Sequence, residues 1–437
     1  MTPANAPLRV LFASLPVGGG HRALSDSLIA SLGAGPGGEA AYDIRRFDSQ
    51  DTKLRGIYEF CVHRAPWLQR LQYILSDQPF TLPILASTNP QLEAEVFEAF
   101  ERERPQVVVA THFLVAAMFL KARRRLGPHV RVVNAIPDYG PPTTVFAPRG
   151  AWHLDGLIVM EPRVRERVLS ARPYTPERVH LGGFLPRAPF VEVGAELGAG
   201  ARLPEARRHA LLEVLRAEHP ALGGMDPSRP TLLFLGGSAW TGKTRPVLER
   251  LLSTPALLER LNLVVVCGQD AHFHAALKAR AAGLPRVAVL GFVEPRVLAR
   301  LMAFADVPVL GSLAPASLHE LMETRCGPLL LFHVIPGSED THPDYIREQE
   351  LGLYEPRPAA MVERIAEATG LVPPSERMRR LLAVAPERMR ALRADNRERA
   401  PRLGAFLQSL PRDAAPRALA AGGPSEPEPE PERAALS

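Results

Sequence analysis

A glycine triplet followed by a histidine stands between an apolar run and a helical stretch near the start of the chain. The triplet is Gly18, Gly19 and Gly20, and His21 follows it directly. Glycines let the backbone approach a ligand closely, and the helix behind them offers unpaired N–H groups. His21 can exchange a proton near neutral pH. The pattern predicts an anionic ligand with a proton-transfer group beside it, and a tightly packed strand–helix corner is the alternative.

A second glycine-rich loop follows the apolar run at residues 231–235. Gly237–Thr244 fits G-x-x-x-x-G-K-[ST], the pattern of a loop that cradles phosphates and uses a lysine, here Lys243, to contact them. Trp240 is bulky for such a cradle, and the next apolar run ends without an aspartate placed to hold Mg²⁺. A P-loop nucleotide hydrolase and a plain strand–turn–helix corner both remain open for this segment.

Apolar runs of strand length alternate with helical stretches along most of the chain, which is typical of parallel sheets covered on both faces. We therefore predict an α/β fold with two Rossmann-like, doubly wound domains. The predicted strands are Val10–Leu15, Val107–Thr111, Val130–Ile136, Leu157–Met160, Thr231–Leu235, Leu263–Cys267, Val287–Leu290, Val307–Leu310 and Leu329–Val334.

The composition of the chain divides these elements into five parts. Residues 1–190 and 230–372 are the predicted domains, and residues 191–229 form a linker that contains one charged helix. Residues 373–410 are predicted helices that pack back toward the first domain. Residues 411–437, rich in Ala, Pro and Glu, are predicted to be disordered.

Charge and cysteine content limit the partners and the compartment. The net charge is +5, and the basic excess lies in residues 1–190, which suits an anionic membrane surface; a solvated helix face is the commoner explanation for any one basic cluster. Few aromatic residues stand among the basic ones, so we expect no nucleic-acid partner. Cys61, Cys267 and Cys326 are too few for a disulfide framework. With no apolar run of about 18 residues and no signal-peptide start, we expect a cytoplasmic location.

Several short segments, in this order along the chain, match the pattern of one enzyme group. They are Gly18–Ala23, Arg64–Trp67, Thr111–His112, Pro137–Asp138, Gly183 with Arg187 and Phe190, Gly236–Ser238, Val264–Gly268, Gly291–Val293 and Ile335–Glu339. Together, over about residues 9–371, they resemble the monogalactosyldiacylglycerol synthase and processive diacylglycerol glucosyltransferase group. The peptidoglycan glycosyltransferase that makes lipid II is more distantly similar.

This resemblance implies the glycosyltransferase B-type fold, with two Rossmann-like domains facing across a cleft. It also implies inverting transfer of a hexose from a UDP-sugar, bound by the C-terminal domain, to a lipid acceptor such as diacylglycerol, bound by the N-terminal domain. Neither a metal nor a cofactor other than the UDP-sugar donor is implied. The expected location is peripheral, on the inner face of the plasma membrane.

The resemblance also implies roles for individual residues. His21 is the expected catalytic base, supported by Asp138, beside the loop of Gly18, Gly19 and Gly20. The expected donor-binding residues are Gly237, Ser238, Phe292, Ser317, Glu320, Ser338 and Glu339. Among them, Gly237 and Ser238 would stabilise the diphosphate, Phe292 would contact the uracil through its backbone, and Glu320 would bind the ribose hydroxyls.

Departures from the group's pattern keep another alternative open. Ala314-Pro315-Ala316 replaces a glycine-containing turn, and Pro315 lacks an N–H donor, so a weaker anion site is expected there. His342 stands where the group has an asparagine. A catalytically degenerate nucleotide-sugar binding protein therefore remains an alternative. Base rates also favour a core position for His112 and, slightly, for the segment around Trp67.

Overall fold

The computed structural model describes residues 7–15, 19–35, 38–140, 142–198, 203–236, 244–325 and 327–410. Predictions for Gly18, Gly237, Ser238, the remainder of the P-loop-like segment through Lys243, and the tail 411–437 lie outside the described residues.

The strands of the described residues form two six-stranded sheets in which every recorded pairing is parallel. The strands are β1 (Leu8–Ser14), β2 (Tyr42–Asp48), β3 (Val107–Ala110), β4 (Arg131–Ile136), β5 (Gly156–Val159), β6 (Val179–Leu181), β7 (Thr231–Leu235), β8 (Asn262–Val266), β9 (Val287–Leu290), β10 (Val307–Leu310), β11 (Leu329–Leu331) and β12 (Gly352–Tyr354).

Helices connect the strands and cover both faces of each sheet. They are α1 (Gly20–Gly33), α2 (Thr52–His63), α3 (Pro66–Leu75), α4 (Thr81–Ser87), α5 (Pro90–Glu103), α6 (Phe113–Leu126), α7 (Pro162–Ala171), α8 (Ala188–Leu197), α9 (Glu205–Glu218), α10 (Thr244–Leu252), α11 (Pro255–Leu258), α12 (Ala271–Arg280), α13 (Pro295–Phe304), α14 (Pro315–Thr324), α15 (His342–Glu348), α16 (Pro358–Ala368), α17 (Glu376–Arg399) and α18 (Leu403–Ser409).

Strand order identifies the point in each sheet where a ligand is expected. The first sheet runs β2-β1-β3-β4-β5-β6 and the second runs β12-β11-β10-β7-β8-β9. Counted within its own lobe, the second sheet has the order 3-2-1-4-5-6 of the dinucleotide-binding fold. The direction of winding reverses between β1 and β3 and between β7 and β10, and ligands of such sheets bind at the carboxyl ends of those strands. The predicted pair of doubly wound α/β lobes is confirmed.

Alternate residues of each strand enter separate cores on the two faces of the sheet. In β1, Val10 and Phe12 face the core that contains α1 and α18, whereas Leu11 and Ala13 face the core that contains α5 and α6. The second sheet is buried in the same way between two cores. Burial on both faces explains why these strands read as continuous apolar runs rather than as alternating patterns.

Three strands were not predicted from the sequence, and all three lie at sheet edges or are very short. β2 carries Asp43, Arg45, Arg46 and Asp48, because much of this edge strand faces solvent. β6 and β12 are three residues long, too short to show a period. The predicted charged helix of the linker is α9, and α8 and α9 both pack against α13 of the second lobe.

The chain ends its described part by returning to the first lobe. Residues 400–402, which include Pro401, form a 3-10 turn between α17 and α18. Leu403, Phe406, Leu407 and Leu410 then join the core on the α1 side of the first sheet. This last segment packs the C-terminal end of the described chain onto the N-terminal lobe.

Candidate functional site

His21 lies at the carboxyl edge of the first sheet, at the point where the winding reverses. Gly19 is the N-cap of α1, Gly20 is its first residue and His21 its second. Open space surrounds the positions where a Cβ would stand on either glycine. The His21 imidazole reaches across to the end of β3, where its Nδ1 lies 2.5 Å from the carbonyl oxygen of Thr111.

That contact fixes the tautomer of His21. A carbonyl oxygen can only accept a hydrogen bond, so Nδ1 of the neutral ring carries the proton and Nε2 keeps its lone pair. Burial lowers the pKa of His21 below its usual value of 6.5, and the bond to Thr111 offsets part of that effect. At neutral pH the ring is therefore an uncharged base with Nε2 available.

A second imidazole stands beside the first. His112 is the N-cap of α6, and its ring lies edge-to-face with that of His21, with centroids 5.0 Å apart. Its Nδ1 accepts a hydrogen bond of 3.1 Å from the backbone N–H of Leu114. The sequence favoured a core position, but the residue is only partly buried. Its position directly after β3 was the signal that could have placed it at the sheet edge.

The N-terminus of α14 occupies the equivalent position in the second sheet, directly after β10. Pro315 is its first residue, where a missing N–H costs nothing because that group has no helical partner. The N–H that Pro315 lacks is nevertheless one that an anion could have used, so the predicted weakening of an anion site at this turn stays a prediction. The N–H groups of Ala316 and Ser317 follow in the first turn, which is the part of a helix that attracts anions. Ser317 is partly exposed.

Glu320 lies one turn further along α14 and is paired with a cation. Its side chain is almost fully buried, and its Oε1 accepts a hydrogen bond of 2.6 Å from Nε of Arg187. Burial raises the pKa of Glu320, and Arg187 counteracts that rise. The Arg187 guanidinium also lies over the ring of Phe190, 4.9 Å from its centroid. Arg187 was quoted for the family resemblance, but its role beside Glu320 was not foreseen.

Glu339 closes the turn that precedes α15. One of its oxygens accepts a hydrogen bond from the Ser312 hydroxyl, and the other accepts one of 3.0 Å from the backbone N–H of Ile335. Burial raises the pKa of Glu339 to about 7, and the negative charge of Asp138 adds to that rise. Ser338, beside it, is partly exposed.

Asp138 follows β4 of the first lobe and faces this turn of the second lobe. Burial raises its pKa to about 7, and its charge also raises the pKa values of Tyr58 and Tyr73. Among the described residues, no hydrogen bond or ion pair joins Asp138 to His21, whose orientation depends on Thr111 instead. The predicted support of His21 by Asp138 stays a prediction.

Phe292 lies after β9, at the carboxyl edge of the second sheet, with 62% of its surface exposed. The backbone of residues 291–292 therefore lies at the sheet edge where its N–H and C=O groups could hydrogen-bond a nucleotide base. No group of three or more His, Cys, Asp or Glu side chains in the described residues is placed to hold a metal ion.

The two lobes contact each other next to these residues. Helix α1 of the first lobe contacts α14 of the second. Tyr139, directly after Asp138, stacks on Tyr345 of α15 with centroids 4.0 Å apart. The sites at the two sheet edges therefore face each other across one junction.

An exposed apolar surface lies next to this junction. Of the twelve large apolar side chains that are exposed in the described residues, eight lie on α2, α3, α4 and their connections. We call Ile57, Phe60, Trp67, Leu71, Ile74, Leu75, Phe80 and Ile84 the α2–α4 apolar surface. Helix α3 buries none of its residues, and Trp67 is 69% exposed. The interpretation of this segment as core is wrong.

The α2–α4 apolar surface borders the cleft through α3. A Cβ at Gly337 would lie 2.6 Å from Cβ of Tyr73, so the turn before α15 rests directly on α3. Arg70 of α3 also lies 3.6 Å from Asp340. In the part of the chain that the structure describes, no helix is both long and apolar enough to cross a bilayer.

Comparison with known proteins agrees with the resemblance read from the sequence. The chain is 24% identical over 389 residues to the chloroplastic monogalactosyldiacylglycerol synthase of Spinacia oleracea, covering 84% of this chain and 68% of that one. It is 22% identical over 383 residues to monogalactosyldiacylglycerol synthase 1 of Arabidopsis thaliana, covering 84% and 66%. The chain thus spans about two thirds of the length of these relatives. No protein-family model matches it.

Solved structures share the two-lobed fold at low sequence identity. A glycosyltransferase from Rickettsia africae superposes with a TM-score of 0.53 and 11% identity, covering 92% of this chain and 99% of that one. A UDP-GlcNAc 2-epimerase from Neisseria meningitidis, bound to UDP-GlcNAc, superposes with a TM-score of 0.54 and 10% identity, covering 92% and 98%. These matches confirm the two-domain α/β architecture predicted from the sequence.

Proposed function

We propose that this chain is an inverting glycosyltransferase that moves a hexose from a UDP-sugar to a lipid acceptor such as diacylglycerol. The observation that carries the proposal is the position of the His21 imidazole. It lies at the switch point of the first sheet, on the helix that contacts α14 at the switch point of the second sheet. The similarity to two monogalactosyldiacylglycerol synthases supports the same class of reaction.

In the proposed reaction an acceptor hydroxyl attacks the anomeric carbon of the donor sugar. The bond between that carbon and the diphosphate oxygen breaks, and UDP leaves with the electron pair. The hydroxyl proton passes to Nε2 of His21, whose other nitrogen is held by Thr111. Every step is handled by groups of the protein and the two substrates, and the proposal requires neither a metal nor a further cofactor.

The leaving diphosphate needs positive charge and N–H donors as it develops charge. The first turn of α14, with its N–H groups at Ala316 and Ser317, supplies such donors in our proposal. The guanidinium of Arg187 is hydrogen-bonded to Glu320, which lies one turn further along α14. Gly237 and Ser238 complete the proposed diphosphate site, and Phe292, Glu320, Ser338 and Glu339 complete the proposed donor site.

The lipid character of the acceptor is supported by the α2–α4 apolar surface. Its exposed Trp67, Leu71 and Ile74 lie on one helix that buries none of its own residues. An amphipathic helix of this kind binds in the interface of a bilayer. Because Tyr73 of the same helix contacts the turn before Glu339, a membrane bound there would lie at the mouth of the cleft. We propose peripheral attachment to an anionic cytoplasmic membrane surface.

A direct test incubates the protein with a panel of UDP-hexoses and with diacylglycerol in mixed micelles, followed by mass spectrometry and NMR of the products. The expected result is a lipid heavier by one hexose in the inverted anomeric configuration, with stoichiometric UDP. Formation of an epimerised UDP-sugar without transfer would show that the protein is an isomerase and would overturn the proposal. UDP binding without any product would indicate the degenerate binder, and ATP or GTP hydrolysis lost in Lys243→Ala would indicate the P-loop hydrolase.

A further inference from the structure

The pair of imidazoles at the first switch point contains one ring, that of His112, which the proposed transfer reaction does not use. His112 is oriented by the hydrogen bond that its Nδ1 accepts from the N–H of Leu114, at 3.1 Å. A ring that accepts at Nδ1 carries its proton at Nε2 when it is neutral. Burial lowers the pKa of His112 well below 6.5, and the proximity of His21 lowers it further. His112 is therefore a neutral ring with a fixed N–H donor.

The Nε2–H of His112 makes no hydrogen bond to another group among the described residues. Within the described residues, Nε2 of His112 has no hydrogen-bond partner, and it is not among the fully enclosed polar atoms that lack one. The ring itself stacks on that of Phe113, with centroids 4.3 Å apart. An accessible, oriented N–H at the carboxyl edge of a sheet is placed to meet a ligand.

The two rings also differ in what they offer. His21 presents a lone pair at Nε2 and His112 presents a proton at Nε2, and their centroids are 5.0 Å apart. A hydroxyl oxygen that donates its proton to one ring keeps lone pairs with which it can accept a hydrogen bond from the other. Rings this close to each other border the same space at the end of β3.

We propose that His112 is an acceptor-binding residue whose Nε2–H donates a hydrogen bond to the acceptor hydroxyl that His21 deprotonates. This inference rests on the proposed function for the identity of the hydroxyl. The bond aligns an oxygen lone pair toward the donor sugar and holds the hydroxyl proton toward His21. A helix-capping role alone would account for Nδ1 of His112 but gives Nε2 no task.

Two substitutions separate the roles of the two nitrogens. In His112→Asn the amide oxygen stands near the position of Nδ1 and can still cap α6, but nothing reaches the position of Nε2. In His112→Gln the longer side chain places an N–H donor near the position of Nε2 and loses the short capping geometry. A structural role and a substrate-binding role therefore predict opposite rankings of the two variants.

The test measures the KM for diacylglycerol in mixed micelles, the KM for the UDP-sugar and the thermal midpoint of both variants. We expect His112→Asn to raise the acceptor KM about tenfold, the value of one lost hydrogen bond, with the UDP-sugar KM and the thermal midpoint unchanged. We expect His112→Gln to keep the acceptor KM within about threefold although its thermal midpoint falls. Wild-type kinetics in His112→Asn, or losses that follow the thermal midpoint in both variants, would overturn the inference.

A second readout keeps this result separate from the proposed function. The shift in thermal midpoint caused by diacylglycerol micelles, relative to empty micelles, is measured in the wild type and both variants. In one outcome the wild type makes no glycolipid, but diacylglycerol raises the thermal midpoint of the wild type and of His112→Gln and leaves that of His112→Asn unchanged. The binding role of His112 then stands, and the transferase proposal fails. If no chain is stabilised and none turns over, both fail.

Discussion

Arg187 and Glu320 form an ion pair at the junction of the two lobes, with Nε and Oε1 2.6 Å apart. Arg187 directly precedes α8, which packs on α14, and Glu320 lies on α14 itself. The Glu320 side chain is only 4% exposed, and among the described residues Arg187 is the cation that the structure pairs with its charge.

This ion pair predicts that substitutions of Arg187 and of Glu320 lower the free energy of unfolding by different amounts. Arg187→Met leaves a buried carboxylate without its cation and should lower the free energy of unfolding by about 3–5 kcal/mol. Glu320→Gln keeps an oxygen that accepts from Arg187 and should cost clearly less. Chemical denaturation of both variants measures the difference. Equal losses would mean that the guanidinium does not compensate Glu320.

Gly183 predicts a steric effect at the place where α17 crosses the junction. A Cβ at Gly183 would lie 2.0 Å from the backbone oxygen of Asn396, which is fixed because its own side chain accepts from the N–H of Phe184. Gly183→Ala should therefore cost about 3 kcal/mol or more. The neighbouring Gly182→Ala is the matched control, since its Cβ would meet side chains rather than backbone, with the Met160 sulfur at 3.2 Å and Cγ2 of Ile158 at 3.3 Å. Similar stability of the two variants would contradict this packing.

The sequence predicted most of the buried architecture and the part of the site that is local in the chain. Runs such as Val287–Leu290 and Val307–Leu310 coincide with strands because both of their faces are buried. His21 could be placed because the strand, glycine loop and helix that position it are contiguous. The pairing of Arg187 with Glu320 could not, because 133 residues separate them and only the docking of α8 on α14 brings them together.

The exposure of α3 was also beyond the sequence. Trp67, Leu71 and Ile74 have the spacing of a helix face, and that spacing is the same for a face that meets a core and for one that meets a bilayer. Only the absence of a covering layer among the described residues distinguishes the two cases. His112 lies between the two cases, because it stands just beyond the strand end and is partly buried, so its interpretation as a core histidine stays open.

Asp138 and Glu339 predict a pH-dependent stability of the unliganded protein. Both pKa values are raised to about 7, from 3.8 and 4.5. The folded state therefore binds protons more tightly than the unfolded chain, and the stability that these groups contribute is lost as the pH rises from about 4 to 7.

Variants isolate that contribution from other titrating groups. Between pH 5 and 7.5 we expect the free energy of unfolding of the wild type to fall by on the order of 1–3 kcal/mol for each of the two groups. Asp138→Asn or Glu339→Gln should abolish the part of that fall that comes from the substituted group. Glu205→Gln is the control, because that carboxylate is 80% exposed, and its profile should follow the wild type. Parallel profiles in all four proteins would show that the two carboxyl groups titrate normally.

His21 predicts the acid limb of the pH–rate profile. Its neutral form is the base, and its pKa lies below 6.5 because of burial, so kcat/KM should rise through that lower pKa and be flat from about pH 7 upward. His21→Ala should reduce kcat by about 10²–10⁴ and remove the limb, while UDP still raises the thermal midpoint. A limb that survives in His21→Ala would assign the base to another group.

The α2–α4 apolar surface predicts membrane binding that can be removed without disturbing the fold. Trp67→Ser, Leu71→Ser and Ile74→Ser combined should weaken sedimentation with vesicles that contain anionic phospholipid by on the order of 100-fold or more, because each side chain contributes about 1.5–3 kcal/mol when buried in apolar surroundings. The thermal midpoint should not fall, since α3 buries none of its residues. Val214→Ser, at an exposed apolar position of the second lobe, should bind vesicles like the wild type. Raised salt should weaken the membrane binding of the wild type only in part. The basic residues near α3 contribute about 1 kcal/mol each at an anionic surface, and salt screens that contribution but not the apolar one. Undiminished binding by the triple variant would move the membrane contact to another face of the protein.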